Sequence, residues 1–214
     1  MTPRRARWNA LWQRLGVTPP DDALTALERQ YSAPGRHYHT LSHLDAVLAT
    51  FDELRHLAPH PDVAELALWL HDVVWEPMRD DCEQPSVEWA MEHLPALPAL
   101  PALPALPALP ALPALPALIL ETRHHKASSV TADAAVVRDA DLSILAAGDD
   151  AYDAYEHAIR AEYAMLPTAQ FRAGRARILA DFASRRPLFF TPVMRAREPR
   201  ARANLARSLA RLEA

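Results

Sequence analysis

Apolar residues recur along this chain at spacings of three and four, and the alternation that marks a half-buried strand is nearly absent. Trp8, Leu11, Trp12 and Leu15 form the first stripe, entered through Pro3 and stopped at Gly16. Pro19-Pro20-Asp21-Asp22 opens a second helix through Leu24, Leu27 and Tyr31, which Ser32-Ala33-Pro34-Gly35 breaks. From Leu41, the positions Leu44, Val47, Leu48, Phe51 and Leu54 line one helical face, and Pro61-Asp62 opens a helix carrying Val63, Leu66, Ala67 and Leu70. Further on, Leu118 to His125 and Ala134 to Leu145 read as short helices. Gly148-Asp149-Asp150 caps a long one with Tyr152, Tyr155, Ile159 and Tyr163 on one face, and Pro167-Thr168 starts another with Phe171, Ile178, Leu179 and Phe182. The last runs from Glu198 with Leu205, Leu209 and Leu212 on one stripe, its arginines largely elsewhere on a solvated face. The expected fold is all-α.

The pattern is violated in two places. Tyr38-His39-Thr40-Leu41-Ser42-His43 brings two histidines to the head of one stripe, and Leu68-Trp69-Leu70-His71-Asp72-Val73-Val74 ends an apolar run in a His-Asp pair. A polar imidazole and a charged carboxylate in such surroundings cost several kcal/mol unless compensated, and a divalent metal ion is the most economical compensation. These segments read as half of a metal site, both at helix ends.

A third departure is eight successive Pro-Ala-Leu units between Leu94 and Ile119. The 27 uncharged residues from 94 to 120 match a membrane span in length, but a proline at every third position forbids a continuous helix, so a transmembrane reading is rejected. Period three suits polyproline II, and at about 3.1 Å per residue the tract could reach roughly 74 Å at most. We expect residues 94–118 to be a low-complexity insertion in a loop of one domain spanning 1–214, a sticky partner-binding stalk being the alternative. Deleting several units should then leave metal binding intact.

With 214 residues, half of them hydrophobic, the chain can bury the core of one sizeable domain. A net charge of −4 gives no basic surface, so no nucleic-acid polymer is expected as partner. The lone Cys82 cannot form an internal disulfide, and the arginines near the N-terminus precede no signal-peptide core; a cytoplasmic location with no membrane association is expected.

A His upstream, an adjacent His-Asp pair and a distant Asp in a helix are the ligands of the HD superfamily of metal-dependent phosphohydrolases, and the chain resembles that family at His43, His71, Asp72 and Asp141. It is closer still to a bacterial subgroup of small predicted HD phosphohydrolases, through Tyr31-Ser-Ala-Pro-Gly-Arg-His-Tyr-His-Thr-Leu-Ser-His43, Leu68-Trp-Leu-His-Asp72, Asp139-Ala-Asp-Leu-Ser-Ile-Leu145, Ile159-Arg-Ala-Glu-Tyr163 and Ala203-Asn-Leu205. The resemblance implies an HD-domain helical bundle, a divalent ion, and hydrolysis of a small phosphorylated compound, with a nucleotide the leading candidate. The rival is a non-catalytic HD module that binds a nucleotide or a protein, or a metal-stabilised scaffold. Imidazole nitrogen and carboxylate oxygen suit Mn, Fe, Co, Ni or Zn, and Mg if oxygen dominates.

Beyond the four ligands, the spacing Tyr-His-x-x-x-His is also similar to the cyclic-nucleotide phosphodiesterase branch, which implies His39 as general acid, with a structural hydrogen-bonding role as the alternative. On one helical turn His39 and His43 would share a face. Val73-Val74-Trp75 departs from that branch, which speaks against cyclic-nucleotide cleavage. His124 and His125 lie where two-metal relatives hold a second ion or phosphate, or they simply end a helix. Arg36 and Lys126 are candidates for substrate phosphate, ahead of Arg160, Arg172 and Arg175. Asp139 is expected to orient a neighbouring ligand, and Glu83 and Ser86 mark a polar segment beside the site. Oligomeric state is open, a homo-oligomer included.

Overall fold

The computed structural model describes residues 2–18, 22–94, 113–123 and 130–213. These form ten α-helices with no strand: α1 (Pro3–Arg14), α2 (Ala23–Tyr31), α3 (Leu41–Leu54), α4 (Pro61–Leu70), α5 (Glu83–His93), α6 (Leu115–Glu121), α7 (Ala132–Asp141), α8 (Asp149–Glu162), α9 (Thr168–Ser184) and α10 (Pro192–Glu213). Among the described residues no helix is long and apolar enough to cross a membrane.

Helix α4 is the centre of the fold because nothing on it beyond Asp62 faces water. Every residue from Val63 to Leu70 is buried, and α3, α6, α7, α1 and α5 pack around it. Trp8 of α1 meets Trp69 edge to face at 5.2 Å, and Tyr31 of α2 donates its hydroxyl to the Trp69 carbonyl. The one acidic residue on that buried run, Glu65, is matched by Arg7, Arg14 and Arg55, which ring it at the outer end of the helix. With the ring of α4 closed on all sides, its C-terminal end must deliver His71 and Asp72 into the interior.

Four boundaries differ from the sequence pattern, each for a local reason. Helix α5 interrupts what reads as a polar connection; it buries Ser86, Trp89 and Ala90 on one narrow face. Helix α10 starts at Pro192 rather than Glu198, because Thr191 accepts the Met194 N–H and Pro192 occupies the first turn, where its missing donor costs nothing. It then runs through Pro199. Helix α6 spans Leu115–Glu121 rather than 118–125, so the last Pro-Ala-Leu units are helical and Leu115 and Leu118 join Leu94 in the core. That part of the tract is therefore structural; residues 95–112 of it lie outside the described residues. Helix α7 tightens into a 3-10 turn over Leu142–Ala146, immediately after Asp141.

Candidate metal centre

Two helix ends and one helix start converge on four donors. His43 lies in the first turn of α3, His71 caps the C-terminus of α4, Asp72 follows it, and Asp141 is the last residue of α7. Their donor atoms all lie within 4.8 Å of one another. His43 Nε2 is 3.2 Å from His71 Nε2, 3.4 Å from Asp72 Oδ2 and 3.5 Å from Asp141 Oδ1. His71 Nε2 is 3.1 Å from Asp72 and 3.3 Å from Asp141. A point equidistant from four atoms so spaced sits roughly 2.0–2.4 Å from each, which is the length of a bond from imidazole nitrogen or carboxylate oxygen to a divalent ion.

The electrostatics point the same way. His43, His71 and Asp141 are 6%, 1% and 9% exposed, so two carboxylates share a nearly dry site with two imidazoles. Burial pulls the imidazoles toward neutrality, yet hydrogen bonds and the charges of Asp141 and Asp72 outweigh it, leaving His43 above the usual histidine value and His71 well above. Burial likewise opposes ionisation of Asp72, but the facing histidines hold it well below the usual carboxylate range. Two negative charges thus seek two positive ones, and a divalent ion displacing imidazole protons satisfies the set. The donors fit such an ion; two nitrogens and two oxygens do not select among the transition metals.

Neighbouring groups fix the donors. His71 Nδ1 donates to the Leu68 carbonyl at 2.8 Å, which leaves Nε2 for the cluster. Arg36 donates from Nη1 to the carbonyls of His39 and Asp72 and from Nη2 to that of Val73, at 2.7 to 2.9 Å. It reaches this position because Gly35, at φ +87°, turns the chain back after α2. Arg36 is thus a clamp between the two motif segments, with three of its N–H donors spent on backbone, and it is not among the residues that line the adjoining cavity. Asp139 is also relocated: both its oxygens accept from the N–H groups of Phe190 and Thr191, so it anchors the segment before α10 and orients no ligand. The role expected of Asp139 falls to the Leu68 carbonyl.

His39 does not share a helical turn with His43. Thr40 is extended and α3 begins at Leu41, so His39 stands in the preceding bend, its ring centroid 5.9 Å from that of His43 and stacked on Trp75 at 4.7 Å. It is held by Glu162, which the sequence pattern did not single out. Glu162 Oε1 accepts the N–H groups of His37, Tyr38 and His39, and Oε2 meets His39 Nδ1 at 2.7 Å. These donors overcome the cost of burial and keep the Glu162 carboxyl below its usual value. The only hint in the sequence was that Glu162 lies within the quoted Ile159–Tyr163 motif.

Of the remaining candidates, Ser86 both accepts from and donates to the Val74 backbone, and Arg160 and Arg172 end on backbone carbonyls. Arg175 lies in the wall of the adjoining cavity, paired with Glu156, and Glu83 lines the same cavity. His124, His125 and Lys126 lie outside the described residues. Compared with protein-family models, curated proteins and solved structures, the chain matches none.

Proposed function

We propose that this protein is a metal-dependent phosphohydrolase of HD type, acting on a small phosphorylated compound. The observation that carries the reading is the position of the four donors: Asp72 and Asp141 form part of the wall of a cavity of about 610 Å³, so the charged cluster faces a space large enough for a substrate. A cluster meant only to stiffen the bundle would be closed on every side. A divalent ion held by His43, His71, Asp72 and Asp141 would supply Lewis acidity, acidifying a water and neutralising charge on a phosphoryl oxygen.

The chain's own residues divide the remaining work. His39 lines the same cavity, and with Nδ1 committed to Glu162 its Nε2 is the ring nitrogen left to hold a proton for the leaving oxygen. Glu162 fixes the ring and compensates its charge when both nitrogens are protonated. Arg36 keeps the His39 and Asp72 segments at a constant separation, and Trp75 covers one face of the imidazole against water. The test is phosphate release from a panel of nucleotides and sugar phosphates by protein loaded with Mn²⁺, Co²⁺, Ni²⁺ or Mg²⁺, with metal content measured in parallel. Release that disappears in His71→Ala supports the reading. Inactivity of a folded, fully metallated protein across the panel would leave a binding module instead.

A further inference from the structure

Most of the cavity wall belongs to neither the metal donors nor His39. One side is the connection between α4 and α5, carrying Trp75 and Met78; the other is the face of α9 that carries Phe171, Gly174 and Ile178. Three features here have no explanation in folding. Ile178 is 48% exposed although Phe171, Leu179 and Phe182 on the same helix are buried. Met78 is 64% exposed and holds φ at +74°, a left-handed value that side chains disfavour. Gly174 occupies the interior of α9, where glycine weakens a helix, yet a Cβ there would meet nothing within 4 Å. Since no neighbour requires the missing side chain, what Gly174 provides is space in the cavity.

The exposed surface of the wall is mainly apolar, and two of its cations are paired. Arg175 is bound to Glu156 through Nε and Nη2, and Arg79 to Asp81 at 2.6 Å. Asp80, Glu83, Arg123 and Arg177 also lie in the wall, while Trp75, Met78, Phe171 and Ile178 give the same cavity its aromatic and aliphatic surface. We infer that this wall receives a flat ring system belonging to a phosphorylated substrate, the phosphate at the metal donors and the ring between Trp75 and the Phe171, Gly174 and Ile178 face. The ligand class is a ring-bearing phosphate ester, whether an aryl phosphate or a nucleoside phosphate. The inference rests on the phosphohydrolase reading for the phosphate end only; the ring site is a property of the wall.

Calorimetric titration of the metal-loaded protein with 1-naphthyl phosphate, a nucleoside monophosphate and glycerol 3-phosphate tests it. At least one ring-bearing ester should bind about tenfold tighter than glycerol 3-phosphate, about 1.4 kcal/mol. Whichever ring-bearing ester binds tighter identifies the source of the ring. Gly174→Leu, which fills the space, should abolish that preference while metal content and glycerol 3-phosphate affinity stay unchanged. Gly174→Ala, which the open space admits, should reduce it in part and guards against a folding defect in the leucine variant. Equal affinity for glycerol 3-phosphate and both ring-bearing esters, or a preference untouched by both variants, overturns the inference. Titration of metal-free protein with 1-naphthol separates the two readings: binding lost in Gly174→Leu sustains the ring site even if no phosphoester is ever hydrolysed. Hydrolysis of glycerol 3-phosphate without any naphthol binding would sink the ring site alone.

Discussion

Glu162 Oε2 lies 2.7 Å from His39 Nδ1, joining the last residue of α8 to a segment 123 positions earlier in the chain. The same carboxylate accepts three consecutive backbone N–H groups through Oε1, so one side chain sets both the path of residues 37–39 and the orientation of the imidazole. Glu162→Gln keeps an acceptor for the backbone but loses the charge facing His39. Phosphate release in this variant should fall by roughly 10²-fold or more, within the usual contribution of a positioned proton donor, with metal content unchanged. Glu162→Ala should in addition cost about 3 kcal/mol of stability by denaturant unfolding, since several partly buried donors lose their partner. Unchanged turnover in Glu162→Gln would remove His39 from the chemistry.

The same residue predicts an acid dependence. Its carboxyl is depressed in the folded state, so its ionisation contributes stability that is fully present above the unfolded value near ~4.3 and is lost as pH falls through the lower folded value. The stability difference between wild type and Glu162→Gln should therefore be constant above about pH 5 and shrink steadily below it. Thermal unfolding of both proteins between pH 3 and pH 7 measures this; a constant difference throughout would mean that the charge of Glu162 is not what the three N–H groups recognise.

How much of this was visible in the chain depended on whether a residue broke the pattern around it. His71 and Asp72 were legible because they end an all-apolar run, and Asp141 because the motif around it resembled a family pattern. Glu162 was not, since an acidic residue on an amphipathic helix is ordinary and its partners are more than 120 residues away. Arg36 misled for a related reason: a cation beside histidines suggests an anion, whereas its planar donors were needed by three carbonyls left over where two chain segments meet. Helix periodicity gave the fold class and most elements, but capping chemistry decided the ends, as Thr191 did for α10.

Metal loading should stabilise the protein by mass action. At a free ion concentration 100 times the dissociation constant the gain is about 2.7 kcal/mol, which for a chain of this size raises the melting temperature by about 5–11 °C. His71→Ala and Asp141→Asn should lose that increment and the bound ion together. The size of the shift should differ among Mn²⁺, Co²⁺, Ni²⁺ and Zn²⁺ and so rank them. A shift of equal size in wild type and both variants would place the stabilising ion elsewhere.

The Pro-Ala-Leu tract makes the last and most discriminating prediction, because it lies between the third and fourth donors and both of its described ends are packed into the core. Leu94 at one end and Leu115 and Leu118 at the other are buried in the core beside α4 and α5. Removing two or three whole units from within 95–112 shortens a connection without touching those side chains, and lengthening or shortening a connection changes its closure cost only slowly. Such deletions should leave metal content and melting temperature within a few degrees of wild type. Leu115→Ala or Leu118→Ala, by contrast, should each cost about 2–5 kcal/mol, since each leaves a cavity against α4. If the short deletions expel the metal as efficiently as the leucine substitutions do, the repeat is part of the packed domain along its whole length, and its regularity would have to be explained by packing.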